Sequence, residues 1–206
     1  MSEIVIHLEG GGDSKEQHAQ LRNGMNTFLA TLKNFADEKG WRWRLAPRGG
    51  REQTYREWNR ALATSPDALH ILLVDSEEEV TRSPCEHLRH RVGDGWVIRK
   101  KHERHVHLMA QCMEAWLVAD PVALASYYGK DFKAGQLPKR ANLEEEPKHD
   151  VYRALERATE STSKGRYGKI KHASVLLTLV DSGKAIARCP HCERLFRIVS
   201  QAIGNA

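Results

Sequence analysis

The stretch Ile-Val-Ile-His-Leu-Glu-Gly-Gly-Gly-Asp at residues 4–13 decides the fold. Its apolar residues run directly into an acid and three glycines, which is typical of a buried strand in a parallel sheet. Glu9 then stands at the carboxyl end of that strand, where open α/β sheets bind their ligands. The glycines allow a tight turn and a close approach of a ligand to the backbone. The sequence therefore predicts a ligand site whose first side chain is Glu9.

Strand and helix patterns alternate along the first half of the chain. Apolar residues recur at helical spacing from the glycines to Gly40, and an alternating edge strand follows at residues 41–45. After a second helix, residues 68–74 are predicted to form another strongly buried strand, which ends at Asp75. Because right-handed crossovers bring the carboxyl ends of parallel strands to one edge, we expect Asp75 to face Glu9 across a short gap.

The second half of the chain is predicted to be mainly helical. Residues 81–104 are irregular and are interpreted as a surface insertion beside the site, and residues 106–110 as a further strand. Three helices are predicted at about residues 148–160, 171–181 and 190–203.

Together these patterns predict an α/β fold, a Rossmann-like three-layer sandwich. Its sheet is mainly parallel, with helices on both faces and a helical C-terminal extension. The length of 206 residues fits one domain at 1–206, with a core at about 1–128 and the extension at about 129–206.

Composition limits the partners and the compartment. The net charge of +5 and the pI near 9.1 mildly favour polyanions such as nucleic acid, and plain solubility accounts for them equally well. The chain has no run of about 18 apolar residues, so no membrane span is expected. It also has no signal-peptide pattern at its start, so a cytoplasmic location is expected.

Acidic residues follow both apolar strands and point to a metal site. Glu9 follows the first strand, and Asp75 and Glu77 follow the second. Carboxylate oxygens are the ligands that Mg²⁺ prefers, and clustered carboxylates repel one another unless a cation or a proton balances them. Solvated acids at loop starts are the alternative. The occurrence of both motifs after apolar strands favours the metal interpretation.

Other motifs in the chain do not define a site. Cys189 and Cys192 form a single pair, while Cys85 and Cys112 are isolated, so a four-ligand zinc site is not expected. The glycine loop at residues 10–12 matches neither the P-loop nor the dinucleotide-binding fingerprint. Intrinsic ATP binding is therefore not expected.

Two segments resemble the Toprim pattern, a strand-end glutamate followed by a strand-end acidic pair. They are Leu-Glu-Gly-Gly-Gly at 8–12 and Leu-Val-Asp-Ser-Glu at 73–77. Toprim domains occur in topoisomerases, primases and overcoming-lysogenisation-type nucleases. The chain is more closely similar to an uncharacterised Toprim-like bacterial family, which includes the effector nuclease of PARIS-type phage-defence systems. The segments that carry this similarity are residues 107–109, 111–116, 119–120 and 169–173.

The resemblance implies a Toprim-like sandwich and assigns roles to four residues. Glu9 acts as general acid/base or metal ligand, while Asp75 and Glu77 hold Mg²⁺ or Mn²⁺. The usual acidic pair is Asp-x-Asp, and the longer Glu77 puts a two-metal site in question. Lys171 offsets charge that develops on the scissile phosphate. A solvated basic loop and a non-catalytic phosphate grip remain alternatives for Lys171.

Further residues are expected near the site or on the nucleic acid. Glu114 lies in a predicted helix, where it either faces the site as a catalytic residue or has only a structural role. Basic residues are expected to supply sequence-independent affinity for phosphates. They are Arg42, Arg44, Arg99, Lys100, Lys101 and Lys169.

The function expected is Mg²⁺-dependent cleavage of phosphodiester bonds in DNA or RNA. The resemblance also implies a phage-defence setting with a partner ATPase. A non-catalytic Toprim-like module that binds nucleic acid or the ATPase is the alternative. A phosphotransfer enzyme with Asp75 as nucleophile is less well supported, because the matching motif requires a second aspartate where Glu77 stands.

Overall fold

The computed structural model describes residues 2–12 and 14–205, and its centre is a four-stranded sheet. All three neighbouring pairs of strands are parallel, in the order β2-β1-β3-β4. The carboxyl ends of the strands therefore meet at one edge, as the sequence predicts. The strands are β1 (Glu3–Leu8), β2 (Arg42–Pro47), β3 (Leu69–Asp75) and β4 (Val106–Met109).

Helices connect the strands and continue beyond the last one. The helices are α1 (Lys15–Phe28), α2 (Ala30–Glu38), α3 (Arg51–Thr64), α4 (Pro84–His90), α5 (Glu114–Val118), α6 (Pro121–Tyr128), α7 (Lys148–Thr159), α8 (Ser174–Leu177), α9 (Ser182–Arg188) and α10 (Pro190–Gly204). A π-helical turn at Lys169–Ala173 leads into α8. None of the helices in the described part of the chain is long and apolar enough to cross a membrane.

Helices cover both faces of the sheet, because successive residues of a buried strand point to opposite sides. On one face, Ile6 and Leu73 lie in a large apolar core with α1, α2 and the C-terminal helices. On the other face, Leu72 and Leu108 pack in a smaller core with Trp58 of α3. The predicted α/β sandwich with helices on both faces is confirmed.

The C-terminal helices belong to the larger core. Helix α10 packs against β4 and α2, and α7 packs against α5. Leu195 and Val199 of α10 are completely buried in the same core as Ile6 of β1. The segment predicted as an extension therefore supplies part of the apolar surface that covers the sheet.

Three regions differ from the predicted elements. Residues 81–104 are not an irregular surface insertion, because they contain α4 and bury Leu88 and Trp96 in the smaller core. The long helix expected before Gly40 is divided at Leu29 into α1 and α2. The helix expected at 171–181 is the π turn followed by the short α8, and α9 was not predicted. Gly24 explains how α1 packs, since a Cβ there would collide with the backbone carbonyl of Ser174. The glycine allows α1 and α8 to approach closely.

Candidate functional site

Glu9 and Asp75 lie together at the carboxyl edge of the sheet. Leu8 of β1 is in register with Leu73 of β3, so the residues that follow emerge side by side. The backbone N–H of Asp75 donates to Oε2 of Glu9 at 3.1 Å. The structure thus places these two predicted residues in contact.

Arg51, at the start of α3, bonds to Glu9, Asp75 and Asp94, and the sequence did not predict its role. Its Nη1 donates to Oε2 of Glu9 at 3.1 Å and to the backbone carbonyl of Asp75. Its Nε and Nη2 donate to the two carboxylate oxygens of Asp94, both at 2.7 Å. Asp94 belongs to the predicted insertion, which therefore does reach the site. One feature of the sequence could have indicated Arg51. It follows β2 by four residues, and the carboxyl end of β2 lies beside that of β1.

Lys169 lies against the far side of Asp75. Its Nζ is 3.2 Å from Oδ2 of Asp75, while Oδ1 accepts the backbone N–H of Met113 at 2.9 Å. The same ammonium is 3.7 Å from Oε2 of Glu114. Lys169 was predicted only to bind phosphate, and the structure gives it the most central cationic position beside Asp75.

Glu114 lies behind Asp75 and is completely buried. Its Oε1 accepts a hydrogen bond from the hydroxyl of Tyr167 at 2.9 Å. Its Oε2 has no hydrogen-bond partner among the described residues and faces Lys169 at ion-pair distance. Glu114 is thus part of the site cluster, but it supports Lys169 from the interior of the protein.

The structure does not place Lys171 where the sequence interpretation expects it. Its Nζ donates to the backbone carbonyl of Lys164 at 3.0 Å, and the side chain is exposed. Residues two apart on a helical turn point to nearly opposite sides, so Lys169 and Lys171 cannot both face Asp75. The cation beside the carboxylates is therefore Lys169.

Glu77 is held away from the expected metal cluster. Its backbone has a φ of 68°, and its N–H donates to the carbonyl of Gln111 at 3.1 Å. Both of its carboxylate oxygens accept hydrogen bonds from Nζ of Lys148, at 2.7 and 2.6 Å. The left-handed backbone turns Glu77 toward α7, where it is paired with Lys148 instead of grouped with Glu9 and Asp75.

Burial and mutual repulsion change the proton affinity of the carboxylates. Burial, and next the charge of Asp75, raise the pKa of Glu9 to about 7. Burial also raises the pKa of Asp75, with Lys169 opposing the shift. Burial alone would lower the pKa of Lys169, but the carboxylates of Asp75 and Glu114 outweigh it and raise that pKa. Glu9 therefore keeps its proton to a higher pH than an exposed glutamate does, and Lys169 stays charged.

A pocket of about 200 Å³ opens beside Glu9 and Lys169. Most of its lining surface is apolar, and the glycine turn after β1 forms one side of it. The glycines were predicted to give clearance for a ligand, and they do line this pocket. The lining residues are Glu9, Gly10, Gly11, Gly12, Gln17, Gln20, Leu21, Met109, Met113, Lys169, Ile170, Ala173 and Ser174.

Two carboxylates at this site, those of Glu9 and Asp75, could bind a hard cation such as Mg²⁺, and Glu77 does not join them. Within residues 2–12 and 14–205, no three His, Cys, Asp or Glu side chains form a group that could hold a metal ion. Mg²⁺ is often bound through one or two carboxylates while it keeps several waters. Both hydrogen bonds that Glu9 makes with described residues use Oε2. Oε1 of Glu9 thus accepts no hydrogen bond from a described residue, whereas both oxygens of Asp75 do, from Met113 and from Lys169.

Most of the predicted phosphate-binding residues lie away from this site. Arg42 and Arg44 are in the first half of β2, where Arg44 is 3.3 Å from Glu3. Residues 99–101 come shortly before β4, so they lie toward the amino edge of the sheet. Of the six basic residues predicted, Lys169 is the one that the structure brings to Asp75.

The fold defines an α/β protein of Rossmann-like architecture. At the carboxyl ends of its strands, Glu9 and Asp75 lie next to each other, and Lys169 contacts Asp75. A family model described as Domain of unknown function (DUF4276) matches residues 8–199, and the chain belongs to this family. No curated protein and no solved structure matches the chain.

Proposed function

We propose that this protein is a Mg²⁺-dependent nuclease that cleaves phosphodiester bonds at Glu9, Asp75 and Lys169. One observation carries the proposal. Two acids stand at neighbouring strand ends, where the Glu9 carboxylate accepts the backbone N–H of Asp75, the Lys169 ammonium lies 3.2 Å from the Asp75 carboxylate, and a pocket opens beside Glu9 and Lys169. This is the set of groups that phosphoryl transfer needs, namely oxygen ligands, a proton acceptor and a fixed positive charge.

The charges of the site support a bound cation. Four carboxylates, of Glu9, Asp75, Glu77 and Glu114, face three basic side chains, of Arg51, Lys148 and Lys169. Arg51 is also shared with Asp94. The excess of negative charge repels a phosphate unless a cation or protons balance it.

Each residue has a distinct role in the proposed reaction. Glu9 and Asp75 would hold Mg²⁺ or Mn²⁺, which would supply Lewis-acid activation of water or a hydroxyl group. We assign Glu9 the role of general acid/base, and in the metal-free protein burial raises its pKa to about 7. Lys169 offsets the charge that develops on the phosphate oxygens, and Glu114 positions Lys169.

The resemblance to Toprim-like nucleases supports the same proposal. The strand-end Glu9 and the acid-containing turn after β3 occupy matching places in a parallel sheet. In this proposal the protein is a phage-defence effector that acts with a partner ATPase on DNA or RNA. The chain has Asp-Ser-Glu at 75–77 where the Toprim pattern has Asp-x-Asp. Because Glu77 is paired with Lys148, the proposed site holds one metal ion and not two.

A non-catalytic binding module is the second candidate, and the ion pairs favour it. Arg51, Lys148 and Lys169 each neutralise an acid of the edge. Such pairs stabilise the site without any metal, and a module that binds nucleic acid or an ATPase needs nothing more.

Cleavage assays separate the two candidates. Plasmid DNA, single-stranded DNA and a tRNA pool are incubated with the protein in Mg²⁺, in Mn²⁺ or in EDTA, with and without a candidate ATPase. We expect metal-dependent cleavage that Glu9→Gln and Asp75→Asn abolish and that Asp67→Asn, at an exposed turn, retains. Cleavage of no substrate would favour the binding module. Equal cleavage by all four proteins would place the reaction elsewhere or in a contaminant.

A further inference from the structure

The pocket beside Glu9 has two chemically different parts. Its interior is apolar, with Leu21, Met109, Met113 and Ala173 in its walls. Its opening carries charged and amide groups, and these are Glu9, Lys169, Gln17 and Gln20. A ligand that matches it has a flat or compact apolar body, hydrogen-bonding edges and a phosphate on one side.

We propose that this pocket binds the base of an unpaired nucleotide next to the phosphate that is cleaved. The substrate is then single-stranded, looped or extrahelical nucleic acid rather than an intact duplex. This inference rests on the proposed nuclease function, because it places the scissile phosphate at Lys169.

The glycine turn makes the pocket accessible to a base. Gly10, Gly11 and Gly12 all have positive φ values, of 108°, 93° and 62°. With no side chains there, the backbone itself forms the wall, and a planar ring can lie against it. A Cβ at Gly11 would lie 2.8 Å from Cδ2 of His18, so this wall is closely packed from behind.

An intact duplex does not match the pocket. In a duplex the bases are stacked inside and show only their edges in the grooves, so a recessed pocket receives a base only after it leaves the stack. Three basic side chains at this edge, those of Arg51, Lys148 and Lys169, are already paired with carboxylates. Arg42 and Arg44 lie in the first half of β2, away from the pocket. Affinity at this edge therefore has to come largely from the base.

A second depression continues the pocket along the surface between α1 and α8. The two share Gln20, Ile170 and Ser174, and the second extends to Val175. Ile170 is 68% exposed and Val175 is 38% exposed. These apolar side chains offer contact surface for the next unpaired base of the same strand.

Binding measurements in Ca²⁺, a hard cation that balances the carboxylates, test the pocket without relying on cleavage. The probes are a labelled single-stranded oligonucleotide and an oligonucleotide of equal length that consists of abasic units. We expect the strand with bases to bind at least about tenfold more tightly, since stacking and burial of a base contribute at this level. Equal affinity for the two strands would overturn the inference.

Matched variants assign that preference to the pocket. Ala173→Leu fills the cavity, and Gln20→Ala removes an amide from its opening. Each should remove most of the preference for bases and leave binding of the abasic strand unchanged, which also shows that the variant is folded. The controls are Ala63→Leu on α3 and Gln201→Ala on α10, both at exposed positions. Loss of the preference in the controls, or its retention in both pocket variants, would contradict the proposal.

Competition and cleavage distinguish the remaining outcomes. A free nucleoside monophosphate should compete more weakly than the strand, and equal competition would assign the pocket to free nucleotides instead. Cleavage of a perfect duplex as fast as a single strand would overturn the inference and keep the nuclease. Cleavage of no substrate, with base-dependent binding intact, would overturn the nuclease and keep the base pocket.

Discussion

Glu9 shows how one side chain can be costly to the fold and useful to the site. Burial and the neighbouring Asp75 raise its pKa from 4.5 to about 7. The folded protein therefore binds more protons than the unfolded chain between these two pH values. Its stability should fall as pH rises through this window, because ionising Glu9 is harder in the folded state.

Replacing Glu9 by glutamine should therefore stabilise the protein at high pH. At pH 8 we expect Glu9→Gln to raise the free energy of unfolding by about 1 to 2 kcal/mol, since glutamine cannot ionise. At pH 4 the difference should nearly vanish. Urea unfolding at both pH values measures it, with the exposed Glu79→Gln as control. A variant that is less stable than the wild type at pH 8 would show that the ion pair with Arg51 outweighs burial.

At this scale the sequence predicted the acids better than the bases. Glu9 and Asp75 stand at the carboxyl ends of two strongly buried strands. The parallel topology alone therefore predicted that they lie close together. Arg51 follows a short edge strand, and its partner Asp94 is 43 residues away, so no local pattern links them. Choosing Lys169 over Lys171 required knowing how the π turn is rotated about its axis.

The turn between β1 and α1 is the element that shapes the pocket. Gly11 has a φ of 93°, and a Cβ there would lie 2.8 Å from the ring of His18. Gly93 provides a matched comparison, because its φ is 92° and an added Cβ would meet no described atom within 4 Å. The two glycines thus share the same backbone conformation but differ in packing.

Alanine substitutions at these two glycines should separate backbone strain from collision. Gly93→Ala should lower the free energy of unfolding by about 1 to 2 kcal/mol, the cost of a positive φ for an L-residue. Gly11→Ala should cost about 1 kcal/mol more, because His18 has to move. Thermal and urea unfolding measure both. Equal losses would mean that His18 yields freely and does not fix the wall of the pocket.

Element boundaries were predicted where local chemistry marks them. Helix α10 begins at Pro190, a residue favoured at the first helical position, and its bounds lie within one residue of the prediction. The break at Leu29 has no such marker, because neither glycine nor proline stands there. In the structure the N–H of Leu29 still bonds to the carbonyl of Met25. The left-handed turn at Glu77 was also invisible, because glutamate rarely adopts a positive φ.

The larger of the two apolar cores joins the first and second halves of the chain. Helices α1, α2 and α10 all contribute to it, together with β1 and β3. The edge position of β2 and the helices on both faces followed from alternating apolar segments and crossover handedness. The closeness of α1 and α8 did not, because a single glycine, Gly24, permits it through a long-range contact.

This shared core predicts a single cooperative unfolding transition. The tryptophans all lie in the first 128 residues, whereas α7 to α10 lie beyond them. Tryptophan fluorescence and far-ultraviolet circular dichroism should therefore give coincident urea transitions. A helical signal that melts before the fluorescence changes would show that residues 129–206 unfold independently.

The central claim is that Glu9, Asp75 and Lys169 form a phosphodiester-cleaving site, and the pair Lys169 and Lys171 tests it most directly. The two lysines share one π turn, but only Lys169 contacts Asp75. The measurement is the single-turnover rate of cleavage of a single-stranded oligonucleotide in Mg²⁺, for variants whose circular dichroism matches the wild type. We expect Lys169→Met to lower the rate by about 10² to 10³-fold, as loss of one transition-state contact does. At enzyme concentrations that saturate the strand, Lys171→Met should stay within about twofold of the wild type, because Lys171 lines the second depression but does not contact Asp75. Wild-type cleavage by Lys169→Met, or equal losses in both variants, would contradict the account.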